Sequence, residues 1–375
     1  MTTSERAGAV PATAGAAAGV PCASSDGQDD ALVELVRAHG ATPDQIATAG
    51  ALGLRSLAAD LVLSASQDTS ARQLAEGAGI GLDVAMAIWR ALGVDVPDPD
   101  AALFSANDIV LTREVVAADL PAHGDADELL RVVGSSLARV ADAAVAFYVQ
   151  TVESDLESEG ATPAQLAEAS AAAATKVLRL GEGLGAVFAH HMRAAVARQR
   201  LAQANVTDRA VFRVAVGFVD LVGFTPLAHR LSAHELSAFV SRFESKAFRV
   251  ATDHRGQIVK HIGDEVMFVA FEPAAGCQLA LALVNEFADE RIQPRGGLAF
   301  GEVVARQGDY YGEVVNLASR LTELAIPGEV LVDTRVRDTV EEPTLVFEAA
   351  GRRQLKGFDD PVSVFAVSSP VPSPA

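Results

Sequence analysis

The apolar run Val211 to Val219 ends on a single acid, in Phe218-Val219-Asp220-Leu221-Val222-Gly223-Phe224-Thr225. The run reads as a buried strand, and a small-residue turn follows it. A second acidic motif is Lys260-His261-Ile262-Gly263-Asp264-Glu265-Val266-Met267-Phe268. Its Gly-Asp turn joins two apolar segments, as in a β-hairpin. Enough chain separates Asp220 from Asp264 for a helix to leave and return a strand beside its start. The chain is thereby committed to a sheet with two carboxylates at strand ends. Such a pair is a hard-oxygen site suited to Mg²⁺ or Mn²⁺ together with substrate phosphates.

The rest of the C-terminal part alternates strand and helix. Ser232-Ala233-His234-Glu235 is a capping-box signature ahead of an amphipathic run to about Thr252. Pro273 to about Glu290 reads as a second helix, and strands are expected near Ile258, Val266, Leu298, Val330 and Val364. The order β-α-β-β-α-β suits a ferredoxin-like sheet.

A third segment is Asp309-Tyr310-Tyr311-Gly312-Glu313-Val314-Val315-Asn316-Leu317-Ala318-Ser319-Arg320. Asn316 and Arg320 sit four apart, on one face of a helix that begins near Gly312. With this segment in place, the chain from about 205 to 368 resembles the catalytic domain of class III nucleotide cyclases. The family has an Asp, a Gly three residues on, an Asn seven on and an Arg eleven on, and all four are present.

The resemblance implies cyclisation of a nucleoside triphosphate, with attack of the ribose 3′-oxygen on the α-phosphorus and release of pyrophosphate. It assigns two metal ions per active site, Mg²⁺ or Mn²⁺, to Asp220 and Asp264. The backbone of Gly223, Phe224 and Thr225 would cradle phosphate oxygens. Lys260 and Asp309 are the pair found in adenylyl cyclases. Adenine offers a ring-nitrogen acceptor and an amino donor, which an ammonium and a carboxylate match, and guanine reverses that pattern. Asn316 is assigned to the ribose, Arg320 to charge on the transferring phosphate, and Lys356 to the terminal phosphates. The two Asp residues act on one protomer and the adenine, Asn and Arg residues on its partner, so a head-to-tail homodimer is implied. A silent nucleotide-binding regulator is opposed by the intact Asp220, Asp264, Asn316 and Arg320. A diguanylate cyclase is opposed by the Ile262–Val266 hairpin sequence.

From Ala31 to about Gln203 nearly everything reads as helix. Gly40-Ala41-Thr42-Pro43-Asp44-Gln45 and Gly160-Ala161-Thr162-Pro163-Ala164-Gln165 each place Thr at an N-cap, Pro at the first helical position and Gln at N3. Gly181, Gly183 and Gly185, at about 1 kcal/mol each relative to Ala, predict a break or bend. The stretches Pro97–Asp108 and Leu120–Asp127 read as loops. Ser70 to Leu92 is patterned like a helix-turn-helix, but its second helix lacks an outward Arg, Lys, Asn or Gln face for reading bases. It reads as a hairpin packed in a core. The expected fold class is α+β, a ferredoxin-like class III cyclase catalytic domain preceded by an all-α regulatory domain. The segments are a tail over 1–30, a helical regulatory domain over 31–189, a helical connector over 190–205, the catalytic domain over 206–368, and a tail over 369–375. This architecture is similar to soluble actinobacterial cyclases with an autoinhibitory N-terminal domain.

The net charge of −19 argues against a nucleic-acid partner and against anionic membranes. No 18-residue uninterrupted apolar stretch occurs, and Val132–Val149 contains Arg139 and Asp142. Two cysteines, Cys22 and Cys277, fit a reducing, cytoplasmic setting. His190-His191 beside the connector makes a proton one candidate effector. An apolar ligand of the Ala/Leu/Val-rich helical half is another.

Overall fold

The computed structural model describes residues 25–118, 126–202, 211–288 and 292–369, and the chain forms two compact units, Met1–Leu184 and Gly185–Ala375. Most of the expected tail over 1–30 lies outside the described residues. The first helix begins at Ser25, earlier than residue 31.

The first unit is built from α1 (Ser25–Ala38), α2 (Pro43–Leu63), β1 (Thr69–Ser70), α3 (Ala71–Ala78), α4 (Leu82–Ala91), β2 (Ala102–Phe104), α5 (Ala106–Ala117), α6 (Ala126–Tyr148), a π-helical turn Val149–Glu153, α7 (Ser154–Ser158) and the first half of α8 (Pro163–Ala202). Both Thr-Pro starts are capping boxes: Thr42 and Thr162 accept from the Gln45 and Gln165 amides, and each Gln side chain accepts from the Thr amide. The Pro97–Asp108 stretch is not all loop, because β2 pairs with β1 and α5 starts at Ala106. The α3–α4 hairpin is a core element. Leu74, Ala85, Ile88 and Trp89 are buried, and the Trp89 indole donates to Thr112 Oγ1 at 3.1 Å. The glycines do not break α8, which runs as one helix through Gly181, Gly183 and Gly185. Once nucleated, a long Ala/Leu/Arg-rich helix gains enough per residue to absorb a few glycines. One helical stretch, Glu128–Ser158, is long and apolar enough by length and composition to cross a membrane, with mean hydropathy 1.4.

The second unit contains β3 (Val211–Val222), α9 (Phe224–Ala228), α10 (Ala233–Asp253), β4 (Gln257–Ile262), β5 (Glu265–Ala270), α11 (Pro273–Phe287), β6 (Gln293–Arg306), β7 (Asp309–Tyr311), α12 (Glu313–Leu324), β8 (Val330–Asp333), α13 (Thr334–Thr339), β9 (Val346–Arg353) and β10 (Val362–Ser368). The sheet order is β4-β5-β3-β6-β8-β10-β9, with β7 paired to β6. Its first four strands are the ferredoxin-like βαββαβ order, all antiparallel neighbours. The expected strands and helices are all present, and β7 and β9 are additions.

Strand β3 is covered on both faces, which explains its near-continuous apolar sequence. Ala215, Val219 and Leu221 pack with Phe243 and Ala247 of α10 and with Leu279 and Leu283 of α11. Val214, Val216 and Phe218 pack on the opposite face with Val314, Ala318 and Leu321 of α12. Alternation along β6 decides how closely α12 approaches. Leu298 and Phe300 join the α11 side, whereas Gly297, Ala299 and Gly301 lie beneath α12. A Cβ at Gly297 would stand 2.3 Å from the Thr322 nitrogen and 2.6 Å from the Ala318 oxygen. Only glycine lets the helix backbone rest on the strand there.

Candidate active site

The Gly263-Asp264 turn is a two-residue hairpin loop closing β4 on β5, with Ile262 opposite Glu265. Gly263 has φ 64° and Asp264 a negative φ, the pattern of a turn that needs glycine at its first central position. The Leu221 amide donates to the Asp264 carbonyl at 3.2 Å. This bond pins the turn to the residue after Asp220, so the two sequence-predicted acids meet at one end of the sheet. Burial, and then the Asp220 charge, push the Asp264 carboxyl above its ordinary value.

Strand register adds two residues that sequence reasoning missed. Glu265, Asp220 and Arg295 stand opposite one another across β5, β3 and β6. Burial, followed by the Asp220 and Asp264 charges, pushes Glu265 up to about 7, while Arg295 acts in the other direction. Arg295 Nε donates to Asp220 Oδ2 at 2.9 Å, and Nη2 lies 2.9 Å from the same oxygen. The available signal for Arg295 was a cation just ahead of the small and apolar run Gly296–Gly301.

Gly223 has φ 96° and turns β3 directly into α9, so Phe224 and Thr225 form the first helical turn. Amides in a first turn have no intrahelical partner and point outward.

The remaining predicted residues lie on the α12 side. Lys260 of β4 and Asp309 of β7 are joined in an ion pair, although they come from separate hairpins. Asn316, Arg320 and Lys356 line one cavity of about 690 Å³, with Tyr310 and Phe358 among its walls. Lys356 arrives there because Gly357, at φ 88°, turns the chain after it. The Arg320 guanidinium is held by Glu323, one turn on, at 2.5 and 2.7 Å. Asp220 and Asp264 are not among the cavity's lining residues. Within one chain the predicted residues thus fall into an acidic group at Asp220 and Asp264 and a cavity lined by Asn316, Arg320 and Lys356, with the Lys260–Asp309 pair not among the cavity's lining residues.

The acidic group has the donor chemistry of an Mg²⁺ or Mn²⁺ position. The Asp220 charge raises the proton affinity of Asp264 and, together with Asp264, that of Glu265, a repulsion that a hard cation relieves. Among the described residues no cluster of three or more His, Cys, Asp or Glu forms a closed metal cage. A site of two carboxylates leaves coordination positions for phosphate oxygens and water.

The adenylate and guanylate cyclase catalytic domain model matches residues 206–369, and the adenylate cyclase regulatory domain model matches residues 19–201. An adenylate cyclase of Streptomyces coelicolor is 33% identical over 321 residues, covering 82% of this chain and 82% of that protein. A pH-sensitive adenylate cyclase of Mycobacterium tuberculosis is 32% identical over 356 residues, covering 90% of this chain and 87% of the relative. Among solved structures, the adenylyl cyclase CyaB from P. aeruginosa is 22% identical and covers 44% of this chain and 99% of that one, with a TM-score of 0.39.

Proposed function

The chain belongs to the class III adenylate cyclases of the actinobacterial type, and on that premise we propose that it cyclises ATP at two sites shared between the protomers of a head-to-tail homodimer. It is an adenylate cyclase with an N-terminal regulatory domain. The observation that carries the shared-site reading is the separation of Asp220 and Asp264 from the cavity of Asn316, Arg320 and Lys356 within one chain. A second copy brings the complementary half to each.

In this reading Asp220 and Asp264 hold two divalent ions, Mg²⁺ or Mn²⁺. When bound, such ions lower the pKa of the attacking hydroxyl and neutralise the triphosphate. The ribose 3′-oxygen attacks the α-phosphorus as its proton passes to water or a substrate phosphate oxygen, the bond from the α-phosphorus to the α–β bridging oxygen breaks, and pyrophosphate leaves. Lys260 donates to an adenine ring nitrogen and Asp309 accepts from its amino group. The two exchange one ion pair for two contacts with the base. Asn316 orients the ribose, and Arg320 leaves Glu323 for the phosphate, where its permanent charge meets the developing negative charge. Lys356 meets the terminal phosphates, and the amides after Gly223 hold phosphate oxygens.

The helical half sets the geometry of the dimer through the connector that leads into β3. A misplacement of about 1 Å between half-sites costs roughly a hundredfold in rate, so a modest movement switches the enzyme. His190 and His191 stand exposed on α8, and a proton acting there is one candidate effector, an apolar ligand of the helical half the other. The reading places the protein in the cytoplasm, where Cys277, buried and unpaired, stays reduced.

The test is purified full-length protein with Mn²⁺ and either ATP or GTP, assayed for cyclic product, with Asp220→Ala as the blank. Cyclic AMP from ATP, absent in the blank, supports the reading. No product from the full chain or from residues 206–375 overturns it. A piece more active than the full chain identifies the N-terminal half as an inhibitor. Replacing both histidines by Asn without changing the pH–activity profile removes the proton as effector.

A further inference from the structure

Arg295 uses its whole guanidinium to join two parts of the catalytic unit. Nε and Nη2 engage Asp220 Oδ2, while Nη1 donates to the Glu323 carbonyl at 2.9 Å and the Ala325 carbonyl at 3.3 Å. Those carbonyls close the C-terminal end of α12, where backbone acceptors lack intrahelical donors and carry partial negative charge. Glu323 in turn holds Arg320 through its carboxylate. A continuous path thus runs from Asp220 through Arg295 and Glu323 to Arg320. The strand supplies the registry: Arg295 stands opposite Asp220, and Gly297, two residues on and on the same face, lets α12 sit against the sheet.

We propose that Arg295 is a positioning residue for the cyclase reaction, fixing the Asp220 carboxylate against the end of the helix that carries Asn316 and Arg320. The inference rests on the reading of Asp220 as a metal ligand. Both contacts of Arg295 fall on Asp220 Oδ2, so the guanidinium leaves the other carboxylate oxygen to a cation. A lysine cannot replace the residue, because a single ammonium does not span the carboxylate and the two carbonyls. Two effects compete when Arg295 is removed. Loss of a positive neighbour favours cation binding, and loss of orientation opposes it. Partners that orient a metal ligand are typically worth 10–100-fold in affinity. The side chain is half-buried and anchored by backbone carbonyls at its far end, so orientation dominates.

The experiment is a Mn²⁺ titration of the full-length chain, read by electron paramagnetic resonance of free Mn²⁺ with a non-cyclisable ATP analogue present. Wild type, Arg295→Met and Arg295→Lys are compared, and kcat and KM for ATP are measured alongside. The expected result is Mn²⁺ affinity weakened about 10–100-fold in Arg295→Met, with a fall in kcat larger than any rise in KM. Arg295→Lys, which keeps the charge and loses the fork, recovers only a small part of both. Unchanged or tighter Mn²⁺ binding in both variants overturns the proposal. If Arg295→Met does not fold, Arg295→Lys carries the same comparison. The wild-type arm reports separately on the functional reading: a wild type that binds no Mn²⁺ and makes no cyclic AMP removes that reading and this inference with it.

Discussion

The Lys260 ammonium donates to the Asp309 carboxylate across 49 positions of sequence, tying the β4 strand to the β6–β7 hairpin. The two residues that the proposed reading assigns to the adenine base satisfy one another in the structure. On that reading a purine that offers an acceptor and a donor at adenine's spacing replaces this contact with two, and guanine leaves both mismatched.

Lys260→Ala therefore lowers kcat/KM for ATP roughly ten- to hundredfold, the equivalent of one charge-assisted hydrogen bond of about 1.5–3 kcal/mol. Lys260→Glu combined with Asp309→Cys shifts the preference toward GTP. Product analysis with each nucleotide checks both. An ATP rate unaffected by Lys260→Ala would show that the pair is structural.

On the shared-site reading, Asp220→Ala and Arg320→Ala damage opposite half-sites. Each variant alone makes no cyclic AMP. Mixed in equal amounts and allowed to exchange subunits, they form heterodimers with one intact site. Random exchange then recovers about one quarter of wild-type activity, because half of the dimers are mixed and each has one working site. No recovery, with exchange verified by tagged subunits, would argue that each chain completes its own site.

Gly297→Val places side-chain atoms where α12 backbone already lies, beginning with a Cβ at 2.3 Å from the Thr322 nitrogen. Overpacking of this kind costs about 1–3 kcal/mol or more. Calorimetry should show the melting of the catalytic unit lowered by several degrees, at roughly 2–4 °C per kcal/mol for a domain of this size. Activity at 25 °C falls too, because Asn316 and Arg320 ride on the displaced helix. A variant with wild-type melting and rate would mean that α12 has room the structure does not show.

His261 buries its Nδ1 without a hydrogen-bond partner and packs edge-on against Phe243 at 5.4 Å. Burial lowers its pKa from the ordinary value of 6.5, with Glu244 acting weakly in the opposite direction. The unfolded chain thus takes up this proton more readily than the folded one. The stability contribution is complete above about pH 6.5 and is lost as pH falls through the depressed folded value. His261→Gln flattens that part of the stability–pH curve, measured by urea unfolding between pH 7.5 and about 5. A curve identical to wild type would assign the acid sensitivity to other groups.

Local features were legible because their physics is local. The Ser232–Glu235 capping box, the two Thr-Pro starts and the Gly263 turn each involve partners within three residues. The four β strands of the ferredoxin core were visible from their apolar runs. Strand β9 was not, because it borders the sheet's end and its residues are mostly exposed, so Val346 to Arg353 carries no apolar alternation. The expected break at Gly181–Gly185 failed for a different reason. Per-residue propensity is additive, while a helix already formed on both sides is cooperative.

The sequence by itself determined the motif residues, their order along the chain and the family to which they belong. It placed Asp220 at a strand end, Asp264 in a hairpin turn, and Asn316 with Arg320 on one helical face, since spacing and turn chemistry act over a few residues. Only the tertiary structure decided which charges meet. Register put Arg295 opposite Asp220, 75 positions away, and a glycine-lined strand let α12 come down to receive it. Packing likewise joined Lys260 to Asp309 and kept the carboxylate pair out of the Asn316–Arg320 cavity. Those pairings depend on how two faces of a sheet are filled, a property of the whole core that no short window of sequence contains.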